Sequence, residues 1–378
     1  MSSKPERKVL RLVHTDRKPD FIFLAHWVET WNWLLKFVHE LHRNPQHARR
    51  WMWLWPVYAV VSLVYLFRRT AYSLVDRFIF EGEVGETMLL TNFGWHFALR
   101  RLQLLIRRRI LQAVLAAEVR GAKVIGLGAL TKAEWLTEGG AWITRAIPNL
   151  KARIVHGDTL TAAVVIRQAL QLIKRFSLNI WPVFITGATS KIGRAVTLLL
   201  LQQDIRVIMF TESDERFEEM KAEAGKNGRL LERAVSLEDG RSCLFWITGK
   251  AFPDGKTILR HLPQDGIVLN FSVPDPLSPR LLRHRQDVRH FDGGLIGYKR
   301  ERLPIEFTMR LTHGLTYACH AGTMVHALKR WRWHEVGPVD LNRVDEVWKA
   351  AKNLGFFLPD YTSFLRPAGL PAQSYLES

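Results

Sequence analysis

One cysteine lies in surroundings that suit covalent chemistry. Cys319 is followed by His320 in the stretch from Tyr317 to Thr323, where most of the neighbours are small. A thiolate can attack a thioester, hold the acyl group and release it, because sulfur is both a good nucleophile and a good leaving group. Cys319 is therefore a candidate catalytic nucleophile, with His320 as a candidate for the proton steps. The alternative is a buried cysteine that packs as a small hydrophobe.

A glycine-containing turn upstream has the pattern of a nucleotide-binding loop. An apolar strand at residues 181–185 precedes the turn, and an apolar helix at residues 195–201 follows it. Such a turn places bare helix N–H groups against a pyrophosphate, although the usual middle glycine is absent here. A purely structural turn is the alternative. The predicted cofactor-binding residues of the turn are Gly187, Ala188, Thr189, Ser190, Lys191, Ile192 and Gly193.

Four more candidate cofactor-binding residues follow two later strands. Thr211 and Glu212 come after a strand at 205–210, and Thr248 and Gly249 close a strand at 242–248. An acidic residue after the second strand favours the ribose hydroxyls of NADH, whereas an arginine favours the extra phosphate of NADPH. Glu212 indicates the first and Arg216 the second. From these residues alone the choice between the two cofactors stays open.

These residues need an α/β framework to position them. Short buried strands alternate with helices from residue 119 onward, which predicts a Rossmann-like doubly wound parallel sheet. The expected organisation has four parts: a helical region at 1–118, a small α/β domain at 119–178, a dinucleotide-binding domain at 179–300, and C-terminal helices at 301–378 that carry Cys319. The last part is expected to contain helices at 304–331 and 341–354.

The first part combines positive charge with tryptophan. The chain has 54 Lys and Arg against 36 Asp and Glu, and about half of the net charge of +18 falls within residues 1–110, together with seven of the 14 tryptophans. Indole favours a membrane interface. Helices are expected at 21–38 and 98–119, and the uncharged run at 51–67 is bracketed by arginines. This pattern predicts a membrane-associated helical region, and a soluble helical layer is the alternative.

Several function classes lack their residues. No tyrosine has a lysine four residues later, so the usual short-chain dehydrogenase pair is missing. His39, His42 and His47 do not form a convincing ligand set, and no metal site is expected. No nucleic-acid-binding motif accompanies the charge, so nucleic acid is not an expected partner.

The C-terminal motifs resemble a known family. Residues 318–322 (ACHAG), 333–337 (WHEVG) and 344–348 (VDEVW), together with 155–158 (VHGD), resemble the C-terminal domain of the plant eceriferum wax-synthesis proteins. They are closest to the branch thought to form very-long-chain aldehydes. The chain from about residue 120 is also similar to cyanobacterial long-chain acyl-[acyl-carrier-protein] reductases, in which the cysteine is acylated and NADPH donates hydride.

The resemblance implies a reductase. Cys319 would accept a long-chain acyl group from acyl-CoA or acyl-carrier protein, and NADPH, or NADH, would reduce it to the aldehyde. The expected location is a membrane: the endoplasmic reticulum in a eukaryote, or the cytoplasmic face of the inner membrane in a bacterium. The plant proteins begin with a histidine-rich di-iron half that nothing here matches. The alternative is therefore a non-catalytic nucleotide-fold partner of a separate di-iron aldehyde decarbonylase.

Overall fold

The computed structural model describes residues 16–27, 55–249, 255–273, 275–298, 311 and 314–370. The chain divides into two compact units, and neither is a single stretch of sequence. Unit 1 comprises Met1–His156, Glu301–His313 and Thr323–Gly337. Unit 2 comprises Gly157–Arg300, Gly314–Gly322 and Pro338–Ser378.

Unit 1 is built on a five-stranded sheet in the order β2-β3-β1-β4-β5. Strands β3, β1, β4 and β5 run parallel, and β2 pairs antiparallel with β3 as a hairpin. Apolar side chains of helix α3 and of the strands form its core. The strands are β1 (Phe21–Trp27), β2 (Tyr72–Phe80), β3 (Glu83–Phe93), β4 (Val124–Leu127) and β5 (Arg153–Val155). The helices are α1 (Trp55–Phe67), α2 (Gly94–Ala98), α3 (Gln103–Arg120), α4 (Glu134–Thr137) and α5 (Ala141–Ala146).

The central strand of this sheet corrects the prediction for the start of the chain. Residues 21–27 were expected to begin an amphipathic helix, but they form β1, and all seven of its residues are buried. A strand that is covered on both faces has a continuous apolar sequence, so its composition does not show a period of two. The rest of the expected helix, up to residue 38, lies outside the described residues.

The prediction of a membrane-associated helical region at 1–118 is not supported, because strands β1, β2 and β3 fall within it. The helix expected at 98–119 is confirmed as α3. Residues 55–67 of the apolar run form α1, whose outer side chains are exposed, as for Val64 and Phe67. Among the described helices, none is both long and apolar enough to span a bilayer.

Unit 2 confirms the α/β fold class. Its main sheet has six parallel strands in the order β11-β10-β9-β6-β7-β8, which is the strand order of the Rossmann fold. The strands are β6 (Val183–Thr186), β7 (Val207–Phe210), β8 (Leu231–Ala234), β9 (Phe245–Thr248), β10 (Ile267–Asn270) and β11 (Arg289–Asp292). Helix α6 (Asp158–Arg175) precedes the sheet, and the helices between its strands are α7 (Lys191–Gln202), α8 (Asp214–Ala224), α9 (Gly255–His261) and α10 (Pro279–Leu282).

The C-terminal part is mixed rather than helical. Helices α11 (Ala318–Leu328) and α12 (Val344–Asn353) confirm two expected helices, although α11 is much shorter than the helix expected at 304–331. Strand β12 (Leu295–Tyr298) pairs antiparallel with β13 (Leu315–Tyr317) and β14 (Phe356–Phe357). Strands β15 (Tyr361–Ser363) and β16 (Arg366–Leu370) form a hairpin.

Candidate functional site

The glycine turn lies between β6 and α7, where the sequence predicted it. Gly187 has a φ of +76°, and the Ser190 N–H donates to its carbonyl oxygen at 2.9 Å. The Ser190 hydroxyl caps the helix by accepting from the Gly193 N–H at 3.2 Å. A Cβ on Gly193 would overlap the Gly187 oxygen and lie 2.9 Å from its carbonyl carbon. The turn is therefore tight, and glycine is required at both of its ends.

This turn occupies the topological switch point of the sheet. From β6 the chain adds β7 and β8 on one side, and it then returns to add β9, β10 and β11 on the other. The Gly249 N–H, just past β9, donates to the Thr186 carbonyl oxygen at 2.9 Å. The Thr248 hydroxyl donates to Asn270 Oδ1 at 2.9 Å. Ligands of doubly wound sheets bind in the crevice at such a point, and the predicted residues Gly187, Thr248 and Gly249 lie beside it.

Two arginines frame the segment that follows β7. The Arg233 guanidinium donates to the carbonyl oxygens of Thr211 and Glu212, at 3.1 and 3.0 Å, and also pairs with Asp214. Arg216, in the first turn of α8, reaches Thr189 Oγ1 of the glycine turn at 3.5 Å. The Glu212 side chain is exposed and its backbone is fixed by Arg233. The segment after the second strand therefore combines the carboxylates of Glu212 and Asp214 with the guanidinium groups of Arg216 and Arg233.

Cys319 lies at the start of α11 against a second glycine. Gly157 has a φ of +67°, and a Cβ on it would overlap the Cys319 carbonyl oxygen and lie 2.7 Å from the Cys319 Cα. The next residue, Asp158, begins α6 and is almost fully buried. Asp158 Oδ2 lies 3.2 Å from the Lys191 Nζ of the glycine turn. The structure therefore connects the backbone of Cys319 to the turn through Gly157, Asp158 and Lys191.

The sequence did not assign Asp158 a part in this site. Its stretch, 156–159 (HGDT), was interpreted as a turn that opens a helix, and α6 does begin there. The available signal was a carboxylate directly after a glycine at the end of a buried strand. Its pairing with Lys191 depends on how two distant segments fold together, which spacing does not reveal.

His320 is placed where it stays uncharged. The side chain is buried, and burial lowers the pKa of its imidazole to about 3. Its Nδ1 lies 3.5 Å from the Thr316 hydroxyl. A neutral imidazole can accept a proton or donate an N–H hydrogen bond, but it does not hold a positive charge near neutral pH. The catalytic roles of Cys319 and His320 stay predictions.

Two further motifs meet in unit 1. The His156 N–H, after β5, donates to the Glu335 carbonyl oxygen at 2.9 Å, and His156 Nδ1 lies 3.0 Å from Glu335 Oε1. Lys132 Nζ donates to the His156 carbonyl oxygen at 2.9 Å. Both His156 and Glu335 are buried. The motifs at 155–158 and 333–337, which are far apart in the sequence, therefore form one structural feature.

Comparison with known proteins gives these motifs a family context. Residues 305–358 match the model of the CER1-like, C-terminal domain. The chain is 33% identical over 363 residues to very-long-chain aldehyde decarbonylase GL1-2 of Oryza sativa subsp. japonica, covering 92% of this chain and 54% of that protein. It is 27% identical over 350 residues to Protein CER1-like 2 of Arabidopsis thaliana, covering 90% and 52%.

These matches support the plant eceriferum family. The chain spans about half the length of the curated relatives it matches. The predicted similarity to cyanobacterial reductases stays a prediction.

Solved structures overlap only part of the chain. An NADP complex of the yhdH oxidoreductase from Salmonella enterica covers 35% of this chain and 43% of its own, with 14% identity and a TM-score of 0.28. The D-arabinose dehydrogenase from Sulfolobus solfataricus covers 36% and 44%, with 15% identity and a TM-score of 0.27. The Rossmann-like topology of unit 2 rests on its own strand order.

The relatives overturn the predicted reaction. Reduction of an acyl thioester through Cys319 was expected to produce an aldehyde, whereas the relatives are named aldehyde decarbonylases. These names describe an enzyme whose substrate is the aldehyde, whereas the predicted reduction has the aldehyde as its product. The prediction of an acyl reductase is therefore wrong, because a thiol beside a nucleotide fold suits more than one reaction and its residue type does not select among them. The names of the relatives support an enzyme in this family, and the partner alternative fits them in part.

Proposed function

We propose that this chain is a nicotinamide-dinucleotide-binding component of very-long-chain aldehyde decarbonylation and acts together with a separate di-iron component. The observation that carries the proposal is the glycine turn at the switch point of a sheet with Rossmann strand order. The similarity over 92% of the chain to proteins named aldehyde decarbonylases supplies the reaction class. The half-length coverage and the di-iron half implied by the family resemblance supply the partner.

The residues of the turn fit the cofactor. Gly187 and Gly193 let the backbone of β6 and α7 approach closely, and the first turn of α7 presents N–H groups to the pyrophosphate. A bound nicotinamide supplies hydride for reduction. Lys191, although paired with Asp158, adds positive charge at the position of the absent middle glycine. Asp158 would hold that lysine in place beside the phosphates.

We assign NADPH as the preferred dinucleotide. Arg216 reaches Thr189 of the turn from the first turn of α8, which brings a guanidinium to the side of the turn that faces the adenosine ribose in this fold. Arg233, which also pairs with Asp214, fixes the backbone of Glu212. A 2′-phosphate accepts strong hydrogen bonds from guanidinium groups, whereas NADH offers only hydroxyls there.

Cofactor binding is tested by titrating the purified chain with NADPH and NADH while following tryptophan fluorescence. The wild type is expected to bind NADPH more tightly. Gly193→Ala is expected to abolish binding, because its methyl group overlaps the Gly187 carbonyl. Gly225→Ala is the matched control, since no atom of the described residues lies within 4 Å of its added Cβ. Absence of NADPH and NADH binding to the wild type would remove the proposal.

The partner is tested by reconstitution. The portion of the rice GL1-2 protein outside the aligned region is co-expressed with this chain, supplied with hexacosanal, and alkane is measured by gas chromatography. Alkane is expected only when both components are present, and Gly193→Ala is expected to reduce it. Alkane formation at the same rate without this chain would contradict the proposed partnership.

A membrane surface is the second proposed partner. The exposed side of α1 carries Val60, Val64 and Phe67, and Arg68 and Arg69 follow it directly. Apolar side chains beside arginines suit insertion to the depth of the headgroups of an anionic bilayer. Flotation with vesicles that contain phosphatidylserine tests this. Phe67→Glu is expected to reduce co-flotation, and equal flotation with neutral vesicles would contradict the role of the arginines.

A further inference from the structure

We propose a second ligand site, within unit 1, at the carboxyl ends of β3 and β1. There the side chains of Asn92 and His96 donate hydrogen bonds to the carbonyl or carboxylate oxygen of a long aliphatic molecule. The aldehyde as the natural form of this head group rests on the proposed function. The site itself rests on buried donors that have no hydrogen-bond partner within the part of the chain that the structure describes.

The topology of unit 1 puts a ligand position at this edge. After β1 the chain builds β2 and β3 on one side, and it then crosses to add β4 and β5 on the other. The strands that flank β1 are parallel to it, so its carboxyl end is a switch point of the same kind as in unit 2. Asn92 lies at the end of β3, and His96 lies in α2 directly after it.

His96 carries a ring N–H for which the described residues provide no acceptor. Its Nδ1 accepts the Phe93 N–H at 3.1 Å, so the ring proton is on Nε2. The side chain is fully buried, and Nε2 has no hydrogen-bond partner among the described residues. A buried donor without an acceptor costs about 1–3 kcal/mol, so an orphaned N–H in a folded protein calls for an occupant.

Asn92 presents a second such donor. Its Oδ1 accepts from Arg109 Nη1 at 3.2 Å, which fixes the orientation of the amide. Its Nδ2 is buried and has no hydrogen-bond partner in the described part of the chain. Both orphaned atoms are therefore donors, four residues apart around one tight turn. A carbonyl or carboxylate oxygen has two lone pairs and can accept more than one hydrogen bond.

The local charge also favours an electron-rich oxygen. Arg109 is 5% exposed, and its hydrogen bonds go to the oxygens of backbone carbonyls and of Asn92, with no carboxylate at ion-pair distance among the described residues. Burial, and then the charge of Arg109, lower the pKa of His96 to about 4. The imidazole therefore stays a neutral donor near an uncompensated positive charge, a setting that repels cations and attracts a polarised carbonyl or a carboxylate.

The aliphatic part of the ligand follows from the helix that ends here. Arg109 Nη2 donates to the carbonyl oxygens of Leu66 and Arg68, at 2.7 and 2.9 Å, and so caps the C-terminus of α1. The Tyr65 ring of that helix packs on the Phe93 ring, with centroids 5.5 Å apart. Helix α1, which has an exposed apolar side, therefore ends beside Arg109, the residue that holds the Asn92 amide. An alkyl chain attached to the bound oxygen could pack along this helix.

The probes are tetradecanal, tetradecanoate and tetradecane, with binding measured by isothermal titration calorimetry on the full chain. Tetradecanal and tetradecanoate are expected to bind, and tetradecane is expected to bind at least about tenfold more weakly. His96→Phe and Asn92→Leu keep side-chain bulk and remove one donor each, and each is expected to weaken aldehyde binding about tenfold, which is 1.4 kcal/mol. Their unliganded melting temperatures are expected to be equal or higher, because an orphaned polar group is gone.

Two further variants serve as controls for the binding measurements. Thr87→Val removes another buried, unpartnered hydroxyl on β3, away from the carboxyl end, and it is expected to leave probe binding unchanged. His96→Gln restores a donor and is expected to recover part of the affinity. Unchanged affinity in both His96→Phe and Asn92→Leu would overturn the proposal, as would tetradecane binding as tightly as tetradecanal. Binding of none of the probes would overturn it as well, because the donors would then serve an enclosed water only.

The nucleotide titration separates this inference from the proposed function. NADPH affinity is expected to be the same in His96→Phe as in the wild type, because His96 belongs to unit 1 and the glycine turn to unit 2. A wild-type chain that binds tetradecanal but no dinucleotide would remove the proposed function and leave this site. A chain that binds NADPH but not the aldehyde would do the reverse.

Discussion

Replacing Gly157 by alanine tests how closely the start of α11 approaches the turn before α6. The φ of +67° disfavours alanine by about 1–2 kcal/mol. The added methyl group also overlaps the Cys319 carbonyl, and overpacking of this kind costs about 1–3 kcal/mol more. Gly157→Ala is therefore expected to lower the free energy of unfolding by ~2–5 kcal/mol, a large part of the stability of an ordinary domain.

Urea unfolding followed by tryptophan fluorescence measures this loss. Gly314→Ala is the matched control in the same unit, because its φ is +89° but no atom in the described part of the chain lies within 4 Å of the added Cβ. The control is expected to show only the conformational part, about 1–2 kcal/mol. The rate at which Cys319 reacts with iodoacetamide gives a second measurement, since the clash moves the backbone of that residue. Equal losses in the two variants, with an unchanged alkylation rate, would refute the close approach.

Three further predictions concern charge and reactivity. Arg216→Leu is expected to weaken NADPH binding by about tenfold to hundredfold and to leave NADH binding unchanged. The reason is that only NADPH carries the 2′-phosphate that a guanidinium would bind. Equal losses of affinity for both cofactors would contradict this prediction. The lowered pKa of His320 means that between pH 6.5 and about 3 the unfolded chain binds a proton that the folded chain does not. The free energy of unfolding therefore falls as the pH is lowered through this range. His320→Leu is expected to reduce the slope of this free energy against pH by up to about 1.4 kcal/mol per pH unit, measured by urea unfolding. An unchanged slope would contradict the burial of a neutral imidazole. Burial raises the pKa of Cys243 to about 11, so iodoacetamide at pH 8 is expected to label Cys319 before Cys243, as read by peptide mass spectrometry; the reverse order would contradict the packing.

The features that the sequence predicted well are local. The turn from Gly187 to Gly193, the helix after Asp158 and the helix α3 each follow from a few adjacent residues. A tight turn needs its glycines within one short segment, and an amphipathic or capped helix shows its signal within its own length. Their sequence signals can therefore be recognised without knowledge of the rest of the fold.

The features that the sequence missed depend on distant neighbours. Phe21–Trp27 looks helical or strand-like by itself, and it is a strand because β3 and β4 pair with it on both sides. The pairing of His156 with Glu335 joins segments far apart in sequence. The reaction predicted for Cys319 was also wrong, because residue type and a family resemblance do not determine which carbonyl compound is the substrate.

Unit 1 is made of segments from distant parts of the chain, and this affects the design of shortened forms of the protein. Residues 323–337 belong to unit 1 although they lie near the other end of the chain, and they provide Glu335, whose backbone bonds to Ile154 and His156 next to β5. A fragment that stops after residue 156 would leave the outer strand of its sheet without that contact and His156 without its carboxylate. Shortened versions of this protein should therefore be designed as internal deletions or permuted chains, because no single cut separates one complete unit from the other.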